Sequence, residues 1–186
     1  MRKQRILFLI IFFLSAVTMA TGRVAIAARQ QADPPLEYKL KAAFLLNFAK
    51  FVTWPEQAAT DGEQRFTMCV LGKNPFGPSL AAVKSRTVGK RKISLHYIDD
   101  MKQAAGCRLL FVSRSEKDRL AEISEALQGK AVLTVSDIEG FLSSGGIIEF
   151  VIRDNRLSFK INLAQAKKQG LHINASLLSL ATEVIR

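Results

Sequence analysis

The sequence has few of the side chains from which active sites and metal sites are built. Its 186 residues include two cysteines and two histidines, and neither a Cys-x-x-Cys nor a His-x-x-x-His spacing occurs. Metal ions need such clusters of ligands, and isolated histidines such as His96 and His172 are more often structural than catalytic. We therefore expect no enzyme activity, no cofactor and no metal site.

Motifs for a serine nucleophile and for nucleotide hydrolysis are also missing. Gly-x-Ser-x-Gly does not occur. Residues 72–77 (GKNPFG) follow the first predicted strand and hold two glycines as a phosphate-binding loop does, but Pro78 and Ser79 stand where that loop has Lys and Ser. Prolines also remove N–H donors. The segment predicts a turn, and capture of a small ligand at this edge of the sheet stays open as an alternative.

Acidic residues are scarce relative to basic ones. The sequence has 16 Asp and Glu against 27 Lys and Arg, which gives a formal net charge of +11. The chain begins with a basic segment followed by an apolar stretch, residues 6–19, which is shorter than the about 20 residues of a bilayer span. A small-x-small sequence follows at 25–27. We predict a signal peptide over residues 1–27, with cleavage after Ala20 or an uncleaved anchor as alternatives.

Export changes how charge and cysteines are interpreted. Residues 28–186 form the predicted domain, and the loss of four basic residues lowers its formal charge to +7. Export argues against nucleic acid as a partner. In an oxidising compartment Cys69 and Cys107 are expected to form a disulfide, with two buried free thiols as the alternative.

Residues 38–55 (YKLKAAFLLNFAKFVTWP) predict a long apolar helix. Asp33 and Pro34 supply an N-cap carboxylate and a proline at the first helical position. Leu40, Phe44, Phe48 and Phe51 fall on one stripe and further apolar residues on the opposite side, which predicts a core helix covered on both faces. An exposed partner-binding helix is the alternative.

Strands and helices alternate along the rest of the chain. Predicted strands occupy residues 66–72, 92–98, 107–113 and 131–136, and residues 147–161 predict a β-hairpin that turns at Asp154-Asn155. Helix starts are predicted at Ser115, where Asp118 completes a capping box, at Ser136 with Glu139, at Asn162, and at Asn174 for a last helix that includes Val184. This order predicts one α/β domain with a mostly parallel central sheet flanked by helices, followed by a C-terminal hairpin and helices.

The same fold class brings the two cysteines together. In a doubly wound sheet the first strand usually neighbours the third. Cys69 lies in the first predicted strand and Cys107 begins the third, so a bridge between them is sterically feasible.

Several segments together resemble the YfiR family. The matching segments are residues 38–55, 70–77, 107–113, 133–150 and 157–181, which include the Trp-Pro end of the first helix and the Gly-Gly turn. The resemblance implies a periplasmic repressor that binds the periplasmic sensor domain of an inner-membrane diguanylate cyclase and works as a homodimer. Related domains accompany histidine kinases, so a sensor kinase is an alternative partner.

The cysteine content departs from the family's best-studied pattern of two disulfides. Cys69 and Cys107 match the pair that joins two strands, whereas the other pair would fall near Gly145-Gly146, where this chain has no cysteine. We therefore expect a structural bridge here.

Partner contacts are predicted in the helix after the hairpin, at Asn162, Gln165, Ala166 and Gln169, and on the first helix. The competing hypothesis is a periplasmic small-ligand sensor module that acts on a histidine kinase or another membrane receptor.

Overall fold

The computed structural model describes residues 35–55 and 65–186. The predicted signal peptide lies outside the described residues. Ten strands are present in this part of the chain: β1 Val52–Thr53, β2 Arg65–Leu71, β3 Thr87–Val88, β4 Arg91–Ile98, β5 Leu109–Val112, β6 Leu133–Ser136, β7 Ile148–Arg153, β8 Arg156–Asn162, β9 His172–Ile173 and β10 Glu183–Ile185. The α-helices are α1 Leu36–Phe51, α2 Leu120–Ala126, α3 Leu163–Lys168 and α4 Ala175–Leu178, and 3₁₀ helices span Gly77–Ser85, Met101–Gly106 and Arg114–Arg119.

Eight strands form one sheet in the order β10-β8-β7-β6-β5-β2-β4-β3. The pairs from β4 across β2, β5 and β6 to β7 are parallel, as is β10 with β8, whereas β7–β8 and β3–β4 are antiparallel. The predicted α/β class with a mostly parallel sheet and a C-terminal hairpin is confirmed. Asp154 and Asn155 turn that hairpin with φ of 48° and 58°, as a two-residue type I′ turn requires.

Alternate residues of each central strand pack into two separate cores. In β2, Met68 and Val70 join the core that contains α1. Cys69 and Leu71 join the core that contains Ile123 of α2. Because successive side chains point to opposite faces of a strand, the sheet has a helical layer on each face.

Helix α1 covers the sheet with one side only. Its apolar buried residues are Ala42, Leu45, Phe48 and Ala49, and Phe48 contacts the rings of the β7–β8 hairpin. Leu40 is 44% exposed and Phe51 38%. The prediction of a helix covered on both faces is therefore wrong, because the sheet lies under one side and these residues of the other side face solvent.

The start of α1 also differs from the sequence-based expectation. Pro35 is the N-cap residue and makes no side-chain capping bond. Its carbonyl accepts a hydrogen bond from the Tyr38 N–H at 2.9 Å. Asp33, the predicted cap, lies outside the described residues.

Two serines predicted to cap helices bond elsewhere. Ser115 Oγ accepts from the Lys73 N–H at 3.0 Å, and the 3₁₀ helix Arg114–Arg119 has Ser113 at its N-cap. Ser136 Oγ donates to the Val112 carbonyl at 2.8 Å and residues 139–145 form turns. Ser136 Oγ also accepts from the Ile138 N–H at 3.1 Å, but no helix follows it. Neither predicted capping box forms.

The last predicted helix is a single turn. Asn174 caps α4 as expected, its Oδ1 accepting from the Ser176 N–H at 2.8 Å, but the helix ends at Leu178. Val184 lies instead in β10, paired in parallel with Ile161 of β8. The edge of the sheet offers this segment backbone hydrogen bonds, and that pairing overrides its helical pattern.

The predicted disulfide is confirmed. Strands β2 and β5 are neighbours, and Cys69 is bonded to Cys107, which directly precedes the loop into β5, with 5.9 Å between the two Cα atoms. Both residues are buried in the α2-side core. The bond therefore ties an interior strand of the sheet to the segment that enters its neighbour.

We predict that reducing this bond lowers the free energy of unfolding by about 4 kcal/mol, because the open chain regains the entropy that the closed loop had lost. Urea unfolding with and without dithiothreitol measures the difference. The Cys69→Ala/Cys107→Ala variant is the control, since its stability should not respond to reductant. An oxidised protein no more stable than the reduced one would contradict the prediction.

Candidate functional site

A cluster of charged side chains lies where β5 and β6 end. Asp137 directly follows β6, and Arg114 follows β5 by one residue beyond Ser113. The first turns of α1 carry Glu37 and Lys41 to the same place. Ligands of open α/β sheets bind at the carboxyl ends of the strands, so this cluster occupies the edge at which a site is expected.

Lys41 is buried to 1% exposure and is held by two carboxylates. Its ammonium donates to Asp137 Oδ2 at 2.5 Å and to the carboxylate of Glu37. It also lies 4.3 Å from the centroid of the Tyr38 ring. A buried charge needs such partners, because isolating it from water is strongly unfavourable.

Among the described residues, the Asp137 carboxylate accepts hydrogen bonds on only one of its two oxygens. Oδ2 accepts from Lys41 and from the Tyr38 hydroxyl at 2.8 Å, and lies 3.2 Å from Arg114 Nη2. Oδ1 is buried and has no hydrogen-bond partner among the described residues. Burial, followed by the hydrogen bond to Asp137, raises the pKa of the Tyr38 hydroxyl. Tyr38 therefore stays protonated and donates.

A cleft of about 350 Å³ opens beside this cluster. Its lining combines charged side chains with apolar residues of the β7–β8 hairpin: Glu37, Lys41, Arg114, Asp137, Glu139, Glu149, Phe150, Val151, Ile152, Leu157 and Lys160. Ile152 is 58% exposed although it is a large apolar residue. The cleft can accommodate a small molecule that has both a polar group and an apolar body.

The turn at residues 72–77, the sequence-based candidate for ligand capture, is filled by protein. Gly72 has φ of +82°, and a Cβ at this position would clash with the side chains of Ser115 and Glu116. Glycine is therefore required by the close approach of these two residues. The cleft lies farther along the same edge, beside β6.

The predicted partner-contact residues occupy different environments. Asn162 Oδ1 caps α3 by accepting from the Gln165 N–H at 2.9 Å, and both residues are half-buried. Ala166 is 0% and Gln169 6% exposed. The two buried residues present no surface in this structure, and partner contact by Asn162 and Gln165 stays a prediction.

Sequence reasoning did not identify the pairing of Lys41 with Asp137. Two signals were present: a lysine four residues before Leu45 and seven before Phe48, on the buried side of an apolar helix, and an aspartate directly after an apolar strand. Each alone is common on protein surfaces. Only the fold places them within 2.5 Å of each other.

Within residues 35–55 and 65–186, no group of three or more His, Cys, Asp or Glu side chains is arranged to hold a metal ion. In the same part of the chain, no helix is both long and apolar enough to cross a membrane.

The fold and the cleft define a mixed α/β domain with a charged strand-end cluster. The chain belongs to the YfiR/HmsC-like family, which it matches over residues 38–182. That family consists of periplasmic, non-catalytic regulatory proteins associated with membrane-bound diguanylate cyclases. Family membership agrees with the resemblance seen in the sequence.

A solved structure supports the fold independently. The chain is similar to the ABC domain in complex with L-Trp from Streptococcus pneumonia, with 13% sequence identity and a TM-score of 0.52. The match covers 77% of this chain and 60% of that chain. At this identity the likeness concerns the fold alone.

We predict that Lys41→Met lowers the free energy of unfolding by about 3–5 kcal/mol, because it leaves Asp137 buried without its closest counter-charge. Lys50→Met is the matched control on the exposed side of the same helix and should change stability by less than about 0.5 kcal/mol. Chemical denaturation of both variants gives the comparison. Adding Asp137→Asn to Lys41→Met should recover part of the lost stability. Equal losses of stability in Lys41→Met and Lys50→Met would refute the structural role of the Lys41–Asp137 pair.

Proposed function

We propose that this protein is a non-enzymatic periplasmic regulator that binds the periplasmic sensor domain of an inner-membrane diguanylate cyclase and represses it, lowering cyclic di-GMP. The observation that carries the proposal is the YfiR/HmsC-like match over residues 38–182, which covers most of the predicted domain. The proposal includes export by cleavage of residues 1–27 and assembly as a homodimer. Nucleic acid is not a partner in this proposal.

Repression by binding requires only a difference in affinity. A regulator that binds the inactive conformation of a cyclase more tightly than the active one shifts the equilibrium by that difference. About 1.4 kcal/mol of preference changes the ratio of the two states tenfold. No chemical step by the regulator is needed.

The outer side of α1 is the proposed contact surface. Leu36, Leu40 and Phe51 are 71%, 44% and 38% exposed. Spacings of four and eleven residues keep them within about 60° of one another around the helix. Exposed apolar residues grouped on one side of a helix mark an interaction surface, and half-buried Gln165 of α3 is a further candidate contact.

The second candidate function is a periplasmic small-ligand sensor that acts on a histidine kinase or another membrane receptor. The cleft beside Asp137 favours it, since its volume of about 350 Å³ falls within the range of small-molecule sites. The two functions are compatible, because a ligand that binds the regulator can alter its affinity for a partner.

We predict that deleting the gene raises cellular cyclic di-GMP and that re-expressing the exported protein restores the lower level. A form without residues 1–27 should fail to restore it, because it would remain in the cytoplasm. Quantification of cyclic di-GMP in the three strains tests this. An unchanged level after deletion would overturn repression of a cyclase and favour the sensor function.

For the contact surface, we predict that Leu40→Glu weakens binding to the partner's periplasmic domain about tenfold or more. The reason is that a carboxylate would replace an apolar side chain that becomes buried in the complex. Tyr97→Glu is the control, since Tyr97 is a similarly exposed large side chain on β4, at 48%. Affinity for the purified partner domain and complementation of the deletion are the two measurements. Equal affinities for the two variants would remove α1 from the interface.

A further inference from the structure

One carboxylate oxygen of Asp137 has no hydrogen-bond donor, and the cleft beside this residue has room for a ligand that would supply one. The residue is 8% exposed and lines the cleft, and its Oδ1 is buried without a partner among the described residues. Leaving a buried acceptor unsatisfied is unfavourable by about 1–3 kcal/mol. A carboxylate oxygen accepts hydrogen bonds only, so the missing group is a donor.

We propose that the cleft binds a small organic cation whose primary ammonium group donates to Asp137 Oδ1 and whose aliphatic chain lies along the β7–β8 hairpin. The proposal gives the sensor function a ligand class. It does not depend on which membrane protein is the partner, because binding is measured on this protein alone.

The charge of the cleft favours a cation. Its lining holds four carboxylates, those of Glu37, Asp137, Glu139 and Glu149, against three cationic side chains. One of the cations, Lys160, is already paired with Glu183 at 2.8 Å, and Glu183 is not among the lining residues. The excess of negative charge attracts a positively charged ligand.

Aromatic rings close to the cleft already stabilise one ammonium group. Lys41 Nζ lies 4.3 Å from the Tyr38 ring centroid and 5.8 Å from that of Phe150. Cations within about 6 Å of a ring face are attracted by its π electrons. An ammonium group is therefore a donor that this part of the fold already accommodates.

Arg114 provides a route to the buried carboxylate. Its side chain is 63% exposed while it pairs with Asp137 Oδ2 at 3.2 Å. Because the Arg114 side chain is mostly exposed, it can turn into solvent and give way to a ligand at the buried carboxylate. Tyr38 and Lys41 keep Oδ2 occupied while this happens.

The hairpin supplies the apolar side of the site. Val151, Ile152 and Leu157 line the cleft, and the 58% exposure of Ile152 is explained if a ligand's alkyl chain covers it. Burying each CH₂ group contributes about 0.8 kcal/mol. A chain of several carbons therefore adds affinity that ammonium ion alone lacks.

The test is calorimetric titration of the purified, exported protein with n-pentylamine, with pentanoate as the control of equal chain length and opposite charge. We expect saturable binding of one n-pentylamine per chain and no binding of pentanoate. No saturable binding of n-pentylamine, or equal binding of pentanoate, would overturn the proposal.

Variants locate the site. Ile152→Lys places a positive charge on the exposed wall of the cleft without removing a buried group, and it should weaken n-pentylamine binding at least tenfold. Leu180→Lys adds the same charge at a residue that is 66% exposed and is not among the cleft-lining residues. If both variants weaken n-pentylamine binding equally, the amine responds only to the overall charge of the protein, and this cleft is excluded as its binding site. A negative result for n-pentylamine binding does not alter the expected cyclic di-GMP levels. The ligand proposal and the repressor proposal can therefore be refuted independently.

Discussion

The buried contact between the Lys41 ammonium and the Asp137 carboxylate constrains the rest of the structure. Neither charge is stable away from water without the other, so α1 must lie where its second turn reaches the end of β6. That position in turn places Phe48 on the β7–β8 hairpin and leaves Leu40 and Phe51 partly exposed. One polar contact thus decides which side of an apolar helix becomes core and which becomes surface.

The sheet was predictable from sequence because its strands are short apolar runs bounded by turn residues. The predicted positions of β2, β4, β5 and β6 are correct. The first and third predicted strands are neighbours as expected, and this places Cys69 next to Cys107. Asp154-Asn155 identified the hairpin because residues that tolerate positive φ are needed at both turn positions. These features depend on local sequence, and local sequence was sufficient.

The errors share a physical cause, which is competition from partners distant in sequence. Ser115 has the right hydroxyl for capping, but its oxygen accepts from the distant Lys73 N–H, and the Ser136 hydroxyl ties the chain to the Val112 carbonyl of the neighbouring strand. Val184 belongs to a helical pattern and still joins a strand, because β8 offers an open edge. The strand-end cluster was missed for the same reason, since Asp137 and Lys41 meet only in three dimensions.

The separation of that pair along the chain has a consequence for biogenesis. Asp137 follows Lys41 by 96 residues, and ribosomes add about 5–20 residues per second, so α1 emerges seconds before its counter-charge exists. During that interval Phe48 and the other apolar residues of its inner side have no sheet to cover. The inner side of the first helix therefore stays uncovered until half of the protein has followed it from the ribosome.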